Sequence, residues 1–293
     1  MRSVMMGNNI VMKSMGNAKI CLFIFFFIIS HQLSGQKMYA VAGFYQNQPA
    51  QGMAIYGNKA YILNNTGLCR IYDLKRKIIV DSFVLASASK TNHANCASFG
   101  VESFSGNHLP LLYVSECTKP HRCFVESISN SKSTLVQTIE LQTSGDNKIV
   151  HDWIVDKKNK SLYSVGIVEI NESTGNRRHR INKYNLPKLS DGKVISLKDS
   201  DIIKSFDVNF HNILQGGIIN KNKLYLPVGL HENDKKSGRE RAIIVVNLKK
   251  RKIQRTIDIS KLSNNEPEDC DLYKNKFILY YGQSGGLIII KKI

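Results

Sequence analysis

Amide, imidazole and carboxyl side chains stand at the head of several otherwise apolar segments of this chain, and these are the residues able to do chemistry. Gln51, His93 or Asn95, His151, Gln215 and Glu268 each open such a segment, and Asp152 and Asp269 follow two of them. Imidazole titrates near neutral pH and so serves as a general acid or base. Glu268 paired with Asp152 or Asp269 would make the two-carboxyl arrangement that glycosidic hydrolysis uses. Two imidazoles and a carboxylate could also ligate a metal; the spacing does not require one, and neither a metal nor any other cofactor is assigned. The catalytic candidates are therefore His93, His151 and Glu268. The ligand-binding candidates are Gln51, Asn95, Asp152, Arg178, His211, Gln215, His231, Arg241 and Asp269. The plain alternative is that these polar groups do no more than hold water inside the fold.

Positioning them requires a repeated unit, and the chain has one. QGMAIYGNKAYIL from Gln51 returns as QGGIINKNKLYLP from Gln215 and as EDCDLYKNKFILY from Glu268. Each copy reads as strand, tight turn, strand. HDWIVDKKNKSLYSVG from His151 and NHANCASFG from Asn92, with PLLYVSEC from Pro110, are looser copies. Further Val-, Ile- and Tyr-rich runs bounded by turn residues follow each hairpin, a strand signal. Four strands per roughly 40–50 residues is the spacing of propeller blades. The expected fold is all-β, a single five-bladed β-propeller over residues 36–293, with six blades as the alternative if the stretch from Ile149 to Phe210 hides another sheet. The third blade draws RINKYNL from Arg180 and KVISL from Lys193, and SDIIKSF near Asp201 reads as a helical turn. The last unit builds three strands only, so KMYAVAGF from Lys37 is expected to supply the fourth and leave no open edge.

This topology sorts loops by face. Hairpin turns within blades gather Lys75 to Lys77, Lys157, Lys158, Lys221, Lys249 to Lys252 and Lys274 at one end. The other end receives His93, His121, His179, His211 and His231, with His151 at a strand head. Arg177, Arg178, Arg180, Arg239 and Arg241 lie on or beside loops crossing the same mouth, where guanidinium groups could hold carboxylate or sulfate. Trp153 reads as core.

Residues 1–35 combine Lys13 and Lys19 with the apolar run CLFIFFFII and then Ser30 and Gly35. That is the pattern of a secretory signal peptide, so a periplasmic or secreted protein is expected, with no integral membrane segment in the mature chain. The net charge is +18, and the leader holds Arg2, Lys13 and Lys19 with no acid, leaving +15. A basic exported protein favours a glycan or other anionic small ligand over nucleic acid; a monomer is expected. Five cysteines follow the leader, and Cys117 and Cys123 flank a loop between paired strands, which suggests a disulfide in an oxidising compartment.

The segments NHANCASFG, LLYVSEC, HDWIVD, NILQGG, KLYLPVGLHE, EPEDCD and GQSGG resemble the five-bladed β-propeller group, and more narrowly a secreted propeller family of gut-type Bacteroidetes within the YVTN/quinoprotein-like repeat superfamily. The resemblance implies export and the fold, and no particular activity. Five-bladed propellers include glycosidases, lectins, plant-type glutaminyl cyclases and calcium-dependent nucleotidases; the first blade also resembles a blade of the cyclases. The glycosidases carry a base Asp on the first blade, where this chain has Gln51. Three functions remain open. One is a module binding a glycan at the His-lined mouth. Another is a carbohydrate-active enzyme: a polysaccharide lyase with Arg178 or Arg241 on the uronate and His93 or His151 as base, or a hydrolase with Glu268 as acid and Asp152 as partner. The last is a scaffold for protein contacts.

Overall fold

In the computed structural model the described residues are 40–45, 49–211, 213–230, 241–282 and 285–290. Residues 1–35, the expected leader, lie outside them, as do His231 and Arg239. Among the described residues no helix is long and apolar enough to cross a membrane.

The fold is a five-bladed β-propeller. Blade one is β2 (Ala50–Tyr56), β3 (Lys59–Asn64), β4 (Leu68–Asp73) and β5 (Ile78–Val84). Blade two is β6 (Ala94–Ser103), β7 (Pro110–Glu116), β8 (Cys123–Ser129) and β9 (Lys132–Gln142). Blade three is β10 (Asp152–Asp156), β11 (Ser161–Ile170), β12 (Arg177–Asn185) and β14 (Lys204–Phe210). Blade four is β15 (Ile218–Asn220), β16 (Lys223–Val228), β17 (Ala242–Asn247) and β18 (Lys252–Asp258). Blade five is β19 (Pro267–Tyr273), β20 (Lys276–Tyr281) and β21 (Gly286–Ile290), completed on its outer side by β1 (Ala40–Ala42). β1 runs antiparallel to β21, with Ala40 opposite Ile288, so one blade is built from both ends of the fold.

The repeated Lys-Asn pair is what makes the hairpins tight. Lys221 and Asn222 have φ of 50° and 60°, and Lys274 and Asn275 have 48° and 62°. Two consecutive left-handed residues form the turn whose twist matches that of the flanking strands, and Asn tolerates this conformation better than most residues.

Each seam between blades holds its own apolar cluster. Leu63 and Phe83 of blade one meet Phe99 and Leu112 of blade two. Tyr113 and Val125 meet Trp153 and Tyr184; Ile154 and Val165 meet Leu224 and Ile244; Ile243 and Val245 meet Phe277 and Leu279. Tyr280 and Leu287 of blade five return to Met53 and Ile62 of blade one. Because every blade buries both faces, middle strands such as β17 and β20 are near-continuous apolar runs rather than alternating ones.

Two expectations for the third blade are corrected. The stretch from Ile149 to Phe210 forms no sixth sheet. The KVISL segment, β13 (Val194–Lys198), does not close blade three: it crosses to blade two and pairs in parallel with β9, Val194 opposite Thr138. The outer strand of blade three is β14, just after the short 3-10 turn Asp199–Asp201.

Candidate functional site

The inner strands place equivalent residues of the repeat around one axis. Residues 51, 95, 151, 215 and 268 form the first tier, 52, 96, 152, 216 and 269 the second, and 53, 97, 153, 217 and 270 the third. Register resolves the choice between His93 and Asn95: Asn95 is the repeat's head residue and lies on β6, while His93 sits in the preceding loop.

The second tier is knotted by Asp269. Its Oδ2 accepts the backbone N–H of Met53 at 2.8 Å and of Ala97 at 3.1 Å. Its Oδ1 accepts Gly217 at 2.8 Å and Cys270 at 2.7 Å. Third-tier amides from four of the five blades thus converge on one carboxylate, and the fifth, Trp153 N–H, goes to Ser115 Oγ at 2.8 Å. Burial pushes the Asp269 carboxyl well up, and the N–H donors of Met53, Ala97 and Cys270 pull against it. The neighbouring tier position is Gly216 because a Cβ there would lie 2.2 Å from Asp269 Oδ1. Gly52 is confined in the same way, with a Cβ falling 2.8 Å from the Ala94 carbonyl.

Above the knot lie the other polar heads. Asn95 Nδ2 donates to Asp152 Oδ1 at 2.7 Å, joining blades two and three. Asp152 Oδ2 is buried with no donor facing it among the described residues, and so is Gln51 Oε1. Burial lifts the Asp152 carboxyl to about 7, opposed by the Asn95 hydrogen bond. Gln215 Nε2 donates to Glu266 Oε1. Glu268, 4% exposed, is pushed well up by burial and then by Glu266 and Asp269.

Three histidines gather at the same end. The His121 and His151 rings are 5.8 Å apart, and His93 and His121 both adopt left-handed backbone, at φ 50° and 66°. The Ile167 N–H donates to His151 Nδ1 at 3.2 Å, which leaves the proton of the neutral ring on Nε2. Burial, with His121 and His93 nearby, lowers His151 to about 4. Burial also lowers His93 and His121, so all three are uncharged at neutral pH. His121, reached by no strand pattern, was the member least visible in sequence; its signal was its place in the loop between β7 and β8, on the mouth side.

Other candidates are placed elsewhere or held by other partners. His179 is fully buried, stacked on Phe210 at 3.5 Å. His211 is exposed. Trp153 is core, its indole N–H donating to the His121 carbonyl at 3.0 Å. Arg178 is committed to an ion-pair network with Asp146, Glu169 and Asp207, each at 2.8–2.9 Å, and Arg180 joins Asp207. Arg241 reaches the Leu230 and Ser260 carbonyls at 3.5 and 3.3 Å. The disulfide expected between Cys117 and Cys123 is not formed, and both are free thiols. Strand register explains this: Cys123 lies opposite Ser115, two residues short of Cys117. Cys117 turns toward the mouth instead, its N–H donating to the His93 carbonyl at 3.3 Å. Burial, with Asp152 adding to it, pushes its thiol up to about 12, so it is no thiolate nucleophile. Among the described residues no three His, Cys, Asp or Glu side chains converge as metal ligands.

No protein-family model matches the chain. No curated protein matches it either. Among solved structures it is similar to Kuenenia stuttgartiensis hydrazine synthase at 12% identity and a TM-score of 0.41, covering 80% of this chain and 61% of that one. The chain thus spans about three fifths of that structure's length, and the likeness is too slight to bear on function; the fold assignment rests on the sheet topology above.

Proposed function

We propose that this is an exported binding propeller whose His-lined mouth takes a glycan, held by hydrogen bonds rather than by charge. The observation that carries the reading is the set of neutral imidazoles of His93, His121 and His151 beside Asp152, whose Oδ2 faces no donor in a fully buried setting. A buried polar oxygen without a partner costs about 1–3 kcal/mol, and a sugar hydroxyl, donor and acceptor at once, would partner Asp152 Oδ2 whether or not that oxygen carries the carboxyl proton. Gln51 Oε1 offers a second such acceptor. A few convergent polar groups are the usual means by which a small-ligand site orients its ligand.

Catalysis is less well supported by the same geometry. A lyase needs a guanidinium free to meet a uronate, and Arg178 is already paired with three carboxylates. A hydrolase needs one protonated and one ionised carboxyl. Asp152 and Glu268 are both pushed toward the protonated form, and Asp269 has its oxygens filled by backbone donors. A glycan array probed with the purified chain tests the proposal. Retention of a defined oligosaccharide, weakened at least tenfold in His151→Ala with the circular dichroism unchanged, is the expected result. Retention unaltered by that substitution, or none at all, rejects the reading. Release of unsaturated uronate would point to the lyase.

A further inference from the structure

The other end of the axis carries a cavity that the His-lined mouth does not account for. It has a volume of about 420 Å³, within the range of small-molecule sites. All five inner strands contribute to it, through Ile55, Phe99, Val155, Ile218 and Leu272 among others. Its floor includes Ala97, Gly217 and Cys270, three of the four residues whose N–H groups are tied to Asp269. The Asp269 knot therefore separates this cavity from the mouth above.

The walls and the rim differ in character. The walls are apolar, whereas the rim holds Lys157, Lys158 and Lys221 with the amides of Asn159 and Asn220. Two acids also line it. Asp271 is filled by the N–H groups of Ile55 at 2.6 Å and Leu272 at 2.7 Å. Asp156 is taken by Asn159, whose N–H and Nδ2 donate to it at 3.2 and 2.7 Å. Among the described residues none of the three lysines forms a salt bridge; Lys157 acts at longer range on the Asp271 carboxyl, and Lys158 and Lys221 are left to meet a ligand.

We infer that this lysine-rimmed cavity is a second binding site, for a small organic anion with an apolar body. The apolar part would rest on Ile55, Phe99 and Ile218, and the anionic head would meet the lysines and amides at the rim. Burial of a hydrocarbon body contributes roughly 25 cal/mol per Å², and the lysines add attraction that salt screens.

Titration with 1-anilinonaphthalene-8-sulfonate, an aromatic sulfonate, tests this on the whole chain. One saturable site is expected. It should weaken at least fivefold in Lys158→Gln/Lys221→Asn, a pair of exposed changes in which Asn tolerates the left-handed φ of 50° at position 221. Asn220→Trp, which fills the cavity, should abolish it. Octanoate should displace the probe, and octanol at equal concentration should not. His151→Ala should leave the titration unchanged, so failure here is separable from failure at the mouth. The inference is overturned by the absence of saturable binding, by binding that survives the lysine changes in a folded protein, or by equal displacement with octanol.

Discussion

Asp152 and Asp269 occupy the same position of the repeat, yet their surroundings differ in the number of donors. Asp269 has four backbone N–H groups, two on each oxygen, and these oppose the upward push of burial on its carboxyl. In Asp269→Asn the amide NH₂ would face two N–H donors whichever way it is turned. Loss of about 2–5 kcal/mol is expected in urea denaturation; a loss under 1 kcal/mol would refute the knot. Asp152 has one donor, Asn95, and its carboxyl rises to about 7. An unfolded aspartate titrates near 3.9. Between these values the native state keeps a proton that the unfolded state releases, so this residue makes stability fall as pH rises from about 4 to 7. His151 works in the opposite sense: at about 4 it is lowered from its ordinary value, so stability falls as pH drops through that range. Asp152→Asn, which keeps the bond from Asn95, should remove the alkaline loss. Its stability relative to the parent is expected to rise by about 3 kcal/mol between pH 5 and pH 8, because the slope of about 1.4 kcal/mol per pH unit holds only up to about pH 7. Parallel pH profiles for the two proteins in thermal melts would contradict this.

At the scale of elements, the hairpins were legible because everything that makes them is local. The Lys-Asn turns, the paired apolar runs and the polar head residues all lie within a dozen residues of each other. The junction of β1 with β21 could be inferred because blade five was one strand short. β13 was not legible: KVISL has the composition of any outer strand, and its choice of β9 over β12 depends on the path of a long excursion rather than on its own residues. Arg178 failed as a rim residue for a similar reason, since Asp146, Glu169 and Asp207 come from separate segments that only the folded blade assembles. The β1 pairing yields a direct test. Removal of residues through 42 strips the outer strand and bares the edge of β21, whereas removal through 37 leaves β1 in place. The longer deletion should cost about 2–3 kcal/mol from lost ladder bonds and should promote self-association. Equal midpoints in denaturant for the two truncations would show that closure is dispensable.

For the molecule as a whole, the Asp269 knot divides the axis into two chemically unlike ends. One end carries imidazoles and carboxyls that burial pushes toward their neutral forms; the other carries the exposed lysines Lys157, Lys158 and Lys221. The five apolar seams make the ring one cooperative body, and the ring has one place where it can be parted without breaking a continuous stretch of chain. That place is the pairing of β1 with β21. The strands are antiparallel, and Ala40 stands opposite Ile288, so the start of one and the finish of the other lie side by side. Tension applied through the two chain ends would consequently peel this ladder rung by rung, like a zip, instead of shearing all its rungs together. Such a ladder gives way one rung at a time, and the first casualty would be the blade that completes the circle.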